Sequence, residues 1–138
     1  MIEYKKYQWI KDNMPIPCVD LLVVNNAGAY FLVKRKNHPL KNKWWIPGGR
    51  VLKNETLQNA AHRKAKEELG FDVNVLSCVG YYEDFYKVPK NKVVHTISIV
   101  FVVSPVENFK IKLDSQSSDW KWSKELPDEF NLKSFINI

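Results

Sequence analysis

The sequence has few cysteines, no long apolar run and no cluster of basic residues, and each shortage argues against a class of protein. Its two cysteines, Cys18 and Cys78, lie in apolar stretches and are expected to be buried thiols rather than a disulfide framework. No apolar run approaches the roughly 18–20 residues of a membrane span, and the N-terminal residues lack the apolar centre of a signal peptide. We therefore expect a cytoplasmic protein that has no membrane partner.

The net charge of +6 comes from 21 Lys and Arg residues against 15 Asp and Glu residues. These basic residues are scattered through the chain, and no run of five occurs. A scattered positive charge favours a small polyanion such as a nucleotide over a nucleic-acid surface. We expect a nucleotide-type substrate and no nucleic-acid partner.

The length of 138 residues suits one hydrophobic core and is too short for two comfortable domains. Neither a repeat nor a linker divides the chain, so residues 1–138 are expected to form a single domain. The patterns predict helices at residues 2–13 and 129–136, on either side of a series of strands. The predicted strands are residues 18–24, 30–36, 73–80, 81–85 and 95–103, with a hairpin turn at residues 25–28. Strands on both sides of one central helix predict an α/β (α+β) sandwich.

The most informative stretch, residues 48–71, has the sequence GGRVLKNETLQNAAHRKAKEELGF. Pro47, Gly48 and Gly49 predict a turn, and glycine allows a backbone carbonyl to approach a ligand. An apolar residue recurs at every fourth position from 57 to 69, which predicts a helix that begins after Thr56 and ends at Gly70.

Carboxylates gather at the end of this predicted helix, where Glu67 follows Arg63 by four residues and Glu68 follows Lys64 by four. Glu55, just before the helix, could reach the same cluster. Hard cations such as Mg²⁺ and Mn²⁺ take oxygen ligands from carboxylates, carbonyls, water and phosphate. The alternative is a solvated surface helix with ordinary Glu–Lys and Glu–Arg pairs. The leading Gly-Gly and the isolated Glu55 favour the cation site.

The spacing resembles the signature of the Nudix hydrolases, Gly-x5-Glu-x7-Arg-Glu-U-x-Glu-Glu-x-Gly-U, in which U is a bulky apolar residue. Six positions match at fixed offsets: Gly49, Glu55, Arg63, Glu67, Glu68 and Gly70. One position departs, because Lys64 stands where the family has the first Glu after Arg. The resemblance implies the Nudix fold, a mixed sheet between helices.

Further motifs make residues 15–123 resemble one Nudix subfamily, the GDP-mannose mannosyl hydrolases. The matching strings are VDL at Asp20, KR-x-N-x-P ending at Pro39, W-x-x-PGGRV from Trp44, K-x-ETL from Lys53, R-x-x-x-x-EL from Arg63, the His of VHT at His95, and D-x-Q-x-x-D-aromatic-x-W from Asp114. That subfamily also lacks the first signature Glu. It is dimeric, so a homodimer is expected.

The resemblance implies a Mg²⁺-dependent attack of water on the anomeric carbon of a GDP-sugar, which releases GDP. The metal ligands would be the Gly48 carbonyl, Glu68 and Gln116, with Glu67 as an additional carboxylate. Arg35 and Arg50 would bind the diphosphate or sugar, Asp20 would face positive charge at the anomeric carbon, and His95 would assist the leaving group. The subfamily places a general-base His where this chain has Ser117, and it often has a small residue where this chain has Glu67.

Two alternatives remain open from the sequence. Glu55, Glu67 and Glu68 are also compatible with a Nudix pyrophosphatase that cleaves a nucleoside diphosphate derivative at phosphorus. Lys64 and Ser117 are compatible with a nucleotide-sugar binding module that has lost turnover. The base, the sugar and the carbon or phosphorus position of attack do not follow from these residues.

Overall fold

The computed structural model of the protein describes residues 2–131, which form three helices and seven strands. In chain order these elements are α1 (Tyr4–Asn13), β1 (Ile16–Val23), β2 (Tyr30–Arg35), β3 (Trp44–Trp45), β4 (Gly48–Arg50), α2 (Leu57–Leu69), β5 (Val73–Val88), β6 (Lys92–Pro105), β7 (Ser117–Ser123) and α3 (Asp128–Asn131). Within these residues no helix is long and apolar enough to cross a membrane.

The strands form two sheets. The larger sheet is mixed and has the order β4-β1-β6-β5, with β1 parallel to β6 and antiparallel to β4. The smaller sheet has the order β3-β2-β7 and is antiparallel. The predicted α/β class is confirmed.

The connection between β1 and β2 differs from the predicted hairpin. The Asn25 side chain accepts hydrogen bonds from the N–H groups of Ala27 and Ala29, and Gly28 has a φ of 76°, so the turn itself is present. However, one isolated bridge, Val24 to Tyr30, is the pairing between the two arms, and the strands then enter different sheets. The prediction that β2 is the partner strand of β1 was wrong, and the separation of the sheets opens a cleft between them.

Helix α2 has the predicted limits. The Thr56 side chain accepts a hydrogen bond from the Asn59 N–H at 3.1 Å, and Gly70 ends the helix with a left-handed φ of 83°. Ala61, Ala65 and Leu69 are buried, whereas the first residue of the predicted stripe, Leu57, is exposed. The small alanine side chains allow α2 to pack closely on the sheets.

Alternate residues of β1 and β2 face opposite layers. Val19, Leu21 and Phe31 pack with α2, whereas Leu22 and Leu32 pack with Phe130 of α3. Helices thus contact both faces of the strands.

Several element limits differ from the prediction. Gly48–Arg50 is a short strand paired with β1 rather than a turn. The two strands predicted at residues 73–80 and 81–85 are one strand, β5, which absorbs two register shifts between Val75 and Gly80. Strand β5 continues to Val88, and β6 begins at Lys92 rather than at residue 95. Helix α3 covers the start of the helix predicted at residues 129–136, and residues 132–136 lie outside the described part of the chain.

Candidate active site

The main cleft lies where the two sheets separate, and it has a volume of about 920 Å³. Its walls come from both sheets, from α1 and α2, and from the β5–β6 hairpin. The predicted site residues in its lining are Asp20, Arg35, Gly48, Arg50, Glu67, Glu68 and Gln116. Seven of the eight predicted site residues are therefore brought together, although they are spread over nearly 100 positions of sequence.

Glu68 is the most deeply buried carboxylate of the cleft, with 2% of its surface exposed. The Gly48 backbone N–H donates a hydrogen bond to Glu68 Oε2 at 3.1 Å. The pKa of Glu68 is raised to about 7, mainly by burial and to a smaller extent by nearby Asp114, although Lys64, the Gly48 N–H and Arg35 favour the ionised form. A buried carboxylate with such a pKa gains stabilisation from an added positive charge.

Asp20 is the second buried carboxylate, and it lies opposite Gly48 in the β1–β4 pairing. It accepts hydrogen bonds from the hydroxyl groups of Tyr82 and Ser98. Burial raises the pKa of Asp20 to about 6, although both hydroxyl groups and Arg35 favour the ionised form. The cost of a carboxylate inside an apolar strand is offset by this pairing.

The Gly48 backbone can approach both carboxylates because it has no side chain. A Cβ at this position would lie 2.4 Å from Asp20 Oδ1 and 2.5 Å from the Val19 carbonyl oxygen. Any larger residue would force β4 away from β1 and move the Gly48 N–H away from Glu68.

Arg63 fixes the loop that precedes α2. Its Nε and Nη2 donate to the two carboxylate oxygens of Glu55 at 2.6 and 3.0 Å, and Nη2 also donates to the Arg50 carbonyl at 3.0 Å. This arrangement lowers the pKa of Glu55 mainly through the Arg63 hydrogen bonds. Glu55 and Arg63 therefore hold the loop in place, and Glu55 is already occupied by a protein cation.

Lys64 and Glu67 line the cleft beside Glu68. The Lys64 Nζ is 3.6 Å from Glu67 Oε2, and Arg63 Nη1 donates to the same oxygen at 3.1 Å. The Glu67 side chain is half exposed, whereas 15% of the Lys64 side chain is exposed. Glu67 is therefore a weaker candidate for a metal ligand than Glu68.

Different elements hold the two arginines that were predicted to bind an anion. Arg35 follows a register shift in β2, and its Nε donates to the Pro39 carbonyl at 2.7 Å. The Arg50 guanidinium lies 4.4 Å from the centre of the Tyr7 ring on α1. Both groups line the cleft and offer further N–H donors to an anion.

His95 lies outside this cleft, contrary to the position expected for a group that assists departure. In β6 the residues that line the cleft are Lys92, Val94, Thr96 and Ser98. Strand alternation directs His95 to the opposite face, where it stacks on Phe85 and its Nε2 lies 3.4 Å from a Glu83 oxygen.

Ser117, which replaces the subfamily's general-base His, is buried at the start of β7 and pairs with Arg35. It is not part of the cleft lining. Its neighbour Gln116 does line the cleft, and Gln116 Oε1 accepts a hydrogen bond from Asn37 at 3.1 Å.

Sequence reasoning missed Tyr82 and Ser98, the two partners of Asp20. A polar Asp20 within an apolar strand implied such partners, but the partners lie 62 and 78 positions later. A lone Ser in the apolar run of β6 was the available signal for Ser98. Nothing in the pattern of β5 marked Tyr82.

The donor set fits a single hard cation. Glu68, the Gly48 backbone and Gln116 supply oxygen atoms along one cleft. The space around Gly48 leaves no room for a side chain at that position. Within residues 2–131 no three His, Cys, Asp or Glu side chains form a ready cation cluster. A cation here would draw on the glycine carbonyl and the amide as well as on a carboxylate.

Comparisons with known proteins agree with this fold. The family model described as the NUDIX domain matches residues 14–129. The chain belongs to the Nudix family. It is a Nudix hydrolase, a class that acts on nucleotide derivatives and generally uses divalent metals such as Mg²⁺.

The chain matches two curated relatives over different fractions of their lengths. The low-salt glycan biosynthesis protein Agl8 of Haloferax volcanii is 36% identical over 119 residues, which cover 84% of this chain and 75% of Agl8. The ADP-ribose pyrophosphatase of Methanocaldococcus jannaschii is 36% identical over 84 residues, 61% of this chain and 48% of that protein. The chain spans about half the length of the second relative.

Solved structures support the fold. The MutT protein from Methanosarcina mazei Go1 has a TM-score of 0.69 and 26% identity, with 86% of this chain and 89% of that chain covered. A MutT Nudix hydrolase from Burkholderia pseudomallei has a TM-score of 0.67 at 20% identity, covering 87% of this chain and 95% of that chain. The second similarity concerns the fold alone.

Proposed function

We propose that this protein hydrolyses a GDP-sugar such as GDP-mannose in the presence of Mg²⁺, with Mn²⁺ as a possible substitute. Water attacks the anomeric carbon, the bond from that carbon to the β-phosphate oxygen breaks, and GDP leaves with the electron pair. The products are GDP, free sugar and one proton.

The observation that carries this proposal is Lys64 in the lining of the cleft. An ammonium group stands where the Nudix signature has a carboxylate, and Arg63 occupies Glu55. The remaining oxygen donors suit one cation. One cation can stabilise the charge on a departing diphosphate, whereas in other Nudix hydrolases the additional carboxylate helps to hold metal for attack on phosphorus.

Glu68, the Gly48 carbonyl and Gln116 would hold the cation, and Glu67 is a more exposed additional candidate. A Mg²⁺ ion held there would supply Lewis-acid stabilisation of the leaving diphosphate. Arg35 and Arg50 would orient the diphosphate through their free N–H donors. Asp20, held by Tyr82 and Ser98, would place a negative charge near the anomeric carbon.

The guanine and mannose in this proposal rest on the motif resemblance. The similarity to Agl8, which is named for glycan biosynthesis, supports a sugar-linked substrate. His95 has no role in the proposed step because it lies on the opposite face of β6. A homodimer and a cytoplasmic location remain expectations from the sequence.

The second candidate function is a pyrophosphatase that attacks phosphorus. The similarity to an ADP-ribose pyrophosphatase favours it, together with Glu67 in the cleft lining. A nucleotide-sugar binding module without turnover is the third candidate, since Ser117 lies outside the cleft.

A product screen separates these candidates. The purified protein is incubated with Mg²⁺ and a panel of nucleotide sugars that includes GDP-mannose, ADP-ribose and UDP-glucose, and both products are identified by mass spectrometry. We expect GDP and free sugar from a GDP-sugar. GMP and a sugar phosphate would support the pyrophosphatase, and binding without any product would support the inactive module. The Glu68→Gln variant is the control for contaminating activity.

A further inference from the structure

The Lys64 side chain reaches the cleft along the face of Gly49. A Cβ on Gly49 would lie 2.5 Å from Lys64 Cε and 3.0 Å from Nζ, so the absence of a side chain at position 49 makes room for the lysine stem. Lys64 lines the cleft together with Glu67, Glu68 and Gly49. Its ammonium is therefore at the same end of the cleft as the candidate cation ligands.

The ammonium retains capacity for an anion. Its ion pair is with Glu67 at 3.6 Å, and that carboxylate is half exposed and also accepts a hydrogen bond from Arg63. One exposed acceptor thus serves two cations, while an ammonium group has three N–H donors. Burial raises the pKa values of Glu68 and Cys18, and the nearby positive charge of Lys64 opposes this rise in both groups.

We propose that the Lys64 ammonium is a built-in counter-cation for the substrate's diphosphate, so that one divalent ion at Glu68 is sufficient. This inference rests on the proposed function in one respect, namely that the cleft receives a diphosphate. Lys64 occupies the space beside Glu67 and Glu68 in which a third carboxylate would attract a second divalent ion. In this proposal Lys64, the residue that departs from the signature, therefore has a phosphate-binding role.

Binding of inorganic pyrophosphate tests this assignment without depending on base or sugar. Calorimetry in EDTA compares the wild-type protein with Lys64→Met, Lys64→Arg and Lys66→Met. Lys66 is the matched control because it is on the same helix, its side chain is 61% exposed, and it lies 3.9 Å from Asp72. We expect Lys64→Met to weaken pyrophosphate binding roughly tenfold, Lys64→Arg to retain most of the affinity, and Lys66→Met to have little effect.

Manganese stoichiometry provides the second measurement. Electron paramagnetic resonance of free Mn²⁺ should show one tight site per wild-type chain and two in Lys64→Glu, because the substitution adds a carboxylate beside Glu67 and Glu68. Circular dichroism of each variant verifies folding, and Lys64→Arg keeps the test available if Lys64→Met is unstable.

Equal pyrophosphate affinities in Lys64→Met and Lys66→Met would overturn the inference, as would two tight Mn²⁺ sites in the wild-type protein or one in Lys64→Glu. The pyrophosphate-binding result can be interpreted whether or not the proposed reaction is confirmed. A protein that fails the GDP-sugar screen but loses pyrophosphate affinity in Lys64→Met retains the diphosphate site and changes only its substrate.

Discussion

The backbone N–H of Gly48 donates a hydrogen bond to the Glu68 carboxylate across 20 positions of sequence, at 3.1 Å. This contact joins β4, which pairs with β1, to the end of α2. It also orients a carboxylate that is almost fully buried. The contact lies where the larger sheet meets the signature helix.

Replacing Glu68 with Gln should abolish tight cation binding and lower turnover by at least ~10²-fold, because the charge that holds the cation is lost. Calorimetry with Mn²⁺ and initial rates with the substrate found in the screen measure the two effects. Glu67→Gln is the matched control and should lower turnover by less than ~10-fold, since Glu67 is half exposed and already paired with Arg63. A larger loss in Glu67→Gln than in Glu68→Gln would indicate that Glu67, and not Glu68, is the main cation ligand.

Without divalent ions, the protein should lose stability as pH rises from about 4.5 to about 7. Burial raises the folded-state pKa of Glu68 from 4.5 to about 7, so the folded protein binds this proton more tightly than the unfolded chain does. The stabilisation is full below the unfolded pKa and is lost as pH rises through the folded one. The loss through Glu68 is on the order of 3 kcal/mol.

Asp20 should change stability in the same direction up to about pH 6, where burial places its pKa. Urea unfolding in EDTA at several pH values measures the combined slope, and Glu68→Gln should make the slope shallower. Mg²⁺ should stabilise the protein more at pH 8 than at pH 5, since Glu68 must be deprotonated to bind it. Stability that rises with pH in both proteins would contradict the burial of these carboxylates.

Tyr82→Phe should destabilise the protein by about 1–3 kcal/mol, because it removes a hydroxyl group that donates to the buried Asp20 carboxylate. It should also raise the pKa of Asp20. Urea unfolding at neutral pH measures the stability change. Tyr4→Phe is the control, since Tyr4 is exposed on α1 and should change stability by less than ~0.5 kcal/mol.

Substituting His95 with Asn should change turnover by less than ~3-fold, since the imidazole lies on the face of β6 away from the cleft. Initial rates over a range of pH measure the effect. A general acid typically contributes ~10²–10⁴-fold. A loss of that size, with unchanged folding, would restore the leaving-group role expected from the sequence.

The sequence predicted α2 and its ends well because local chemistry determines them. Thr56 satisfies an N–H group at the start of the helix, Gly70 adopts the left-handed conformation at its end, and the alanines mark the buried face. The same local information placed Glu68 and Gly48 near each other through the motif.

Which strands pair, and which face of a strand is directed toward the cleft, were harder to predict because both depend on residues that are distant in sequence. The Asn25–Gly28 turn is typical of a hairpin, yet it connects two sheets, since Val24 and Tyr30 share the one bridge between the arms. Alternation predicts that His95 and Ser98 face opposite sides of β6. It does not specify which side faces the cleft, and the position of Asp20 in the adjacent strand settles this.

Hydrolysis in H₂¹⁸O with Mg²⁺ and the GDP-sugar found in the screen tests the central proposal most directly. The position of the label shows which atom water attacks. Attack at the anomeric carbon predicts ¹⁸O in the released sugar and none in GDP. Label in a phosphate group of the nucleotide or of a sugar phosphate would contradict the proposed reaction and assign the cleft to attack on phosphorus.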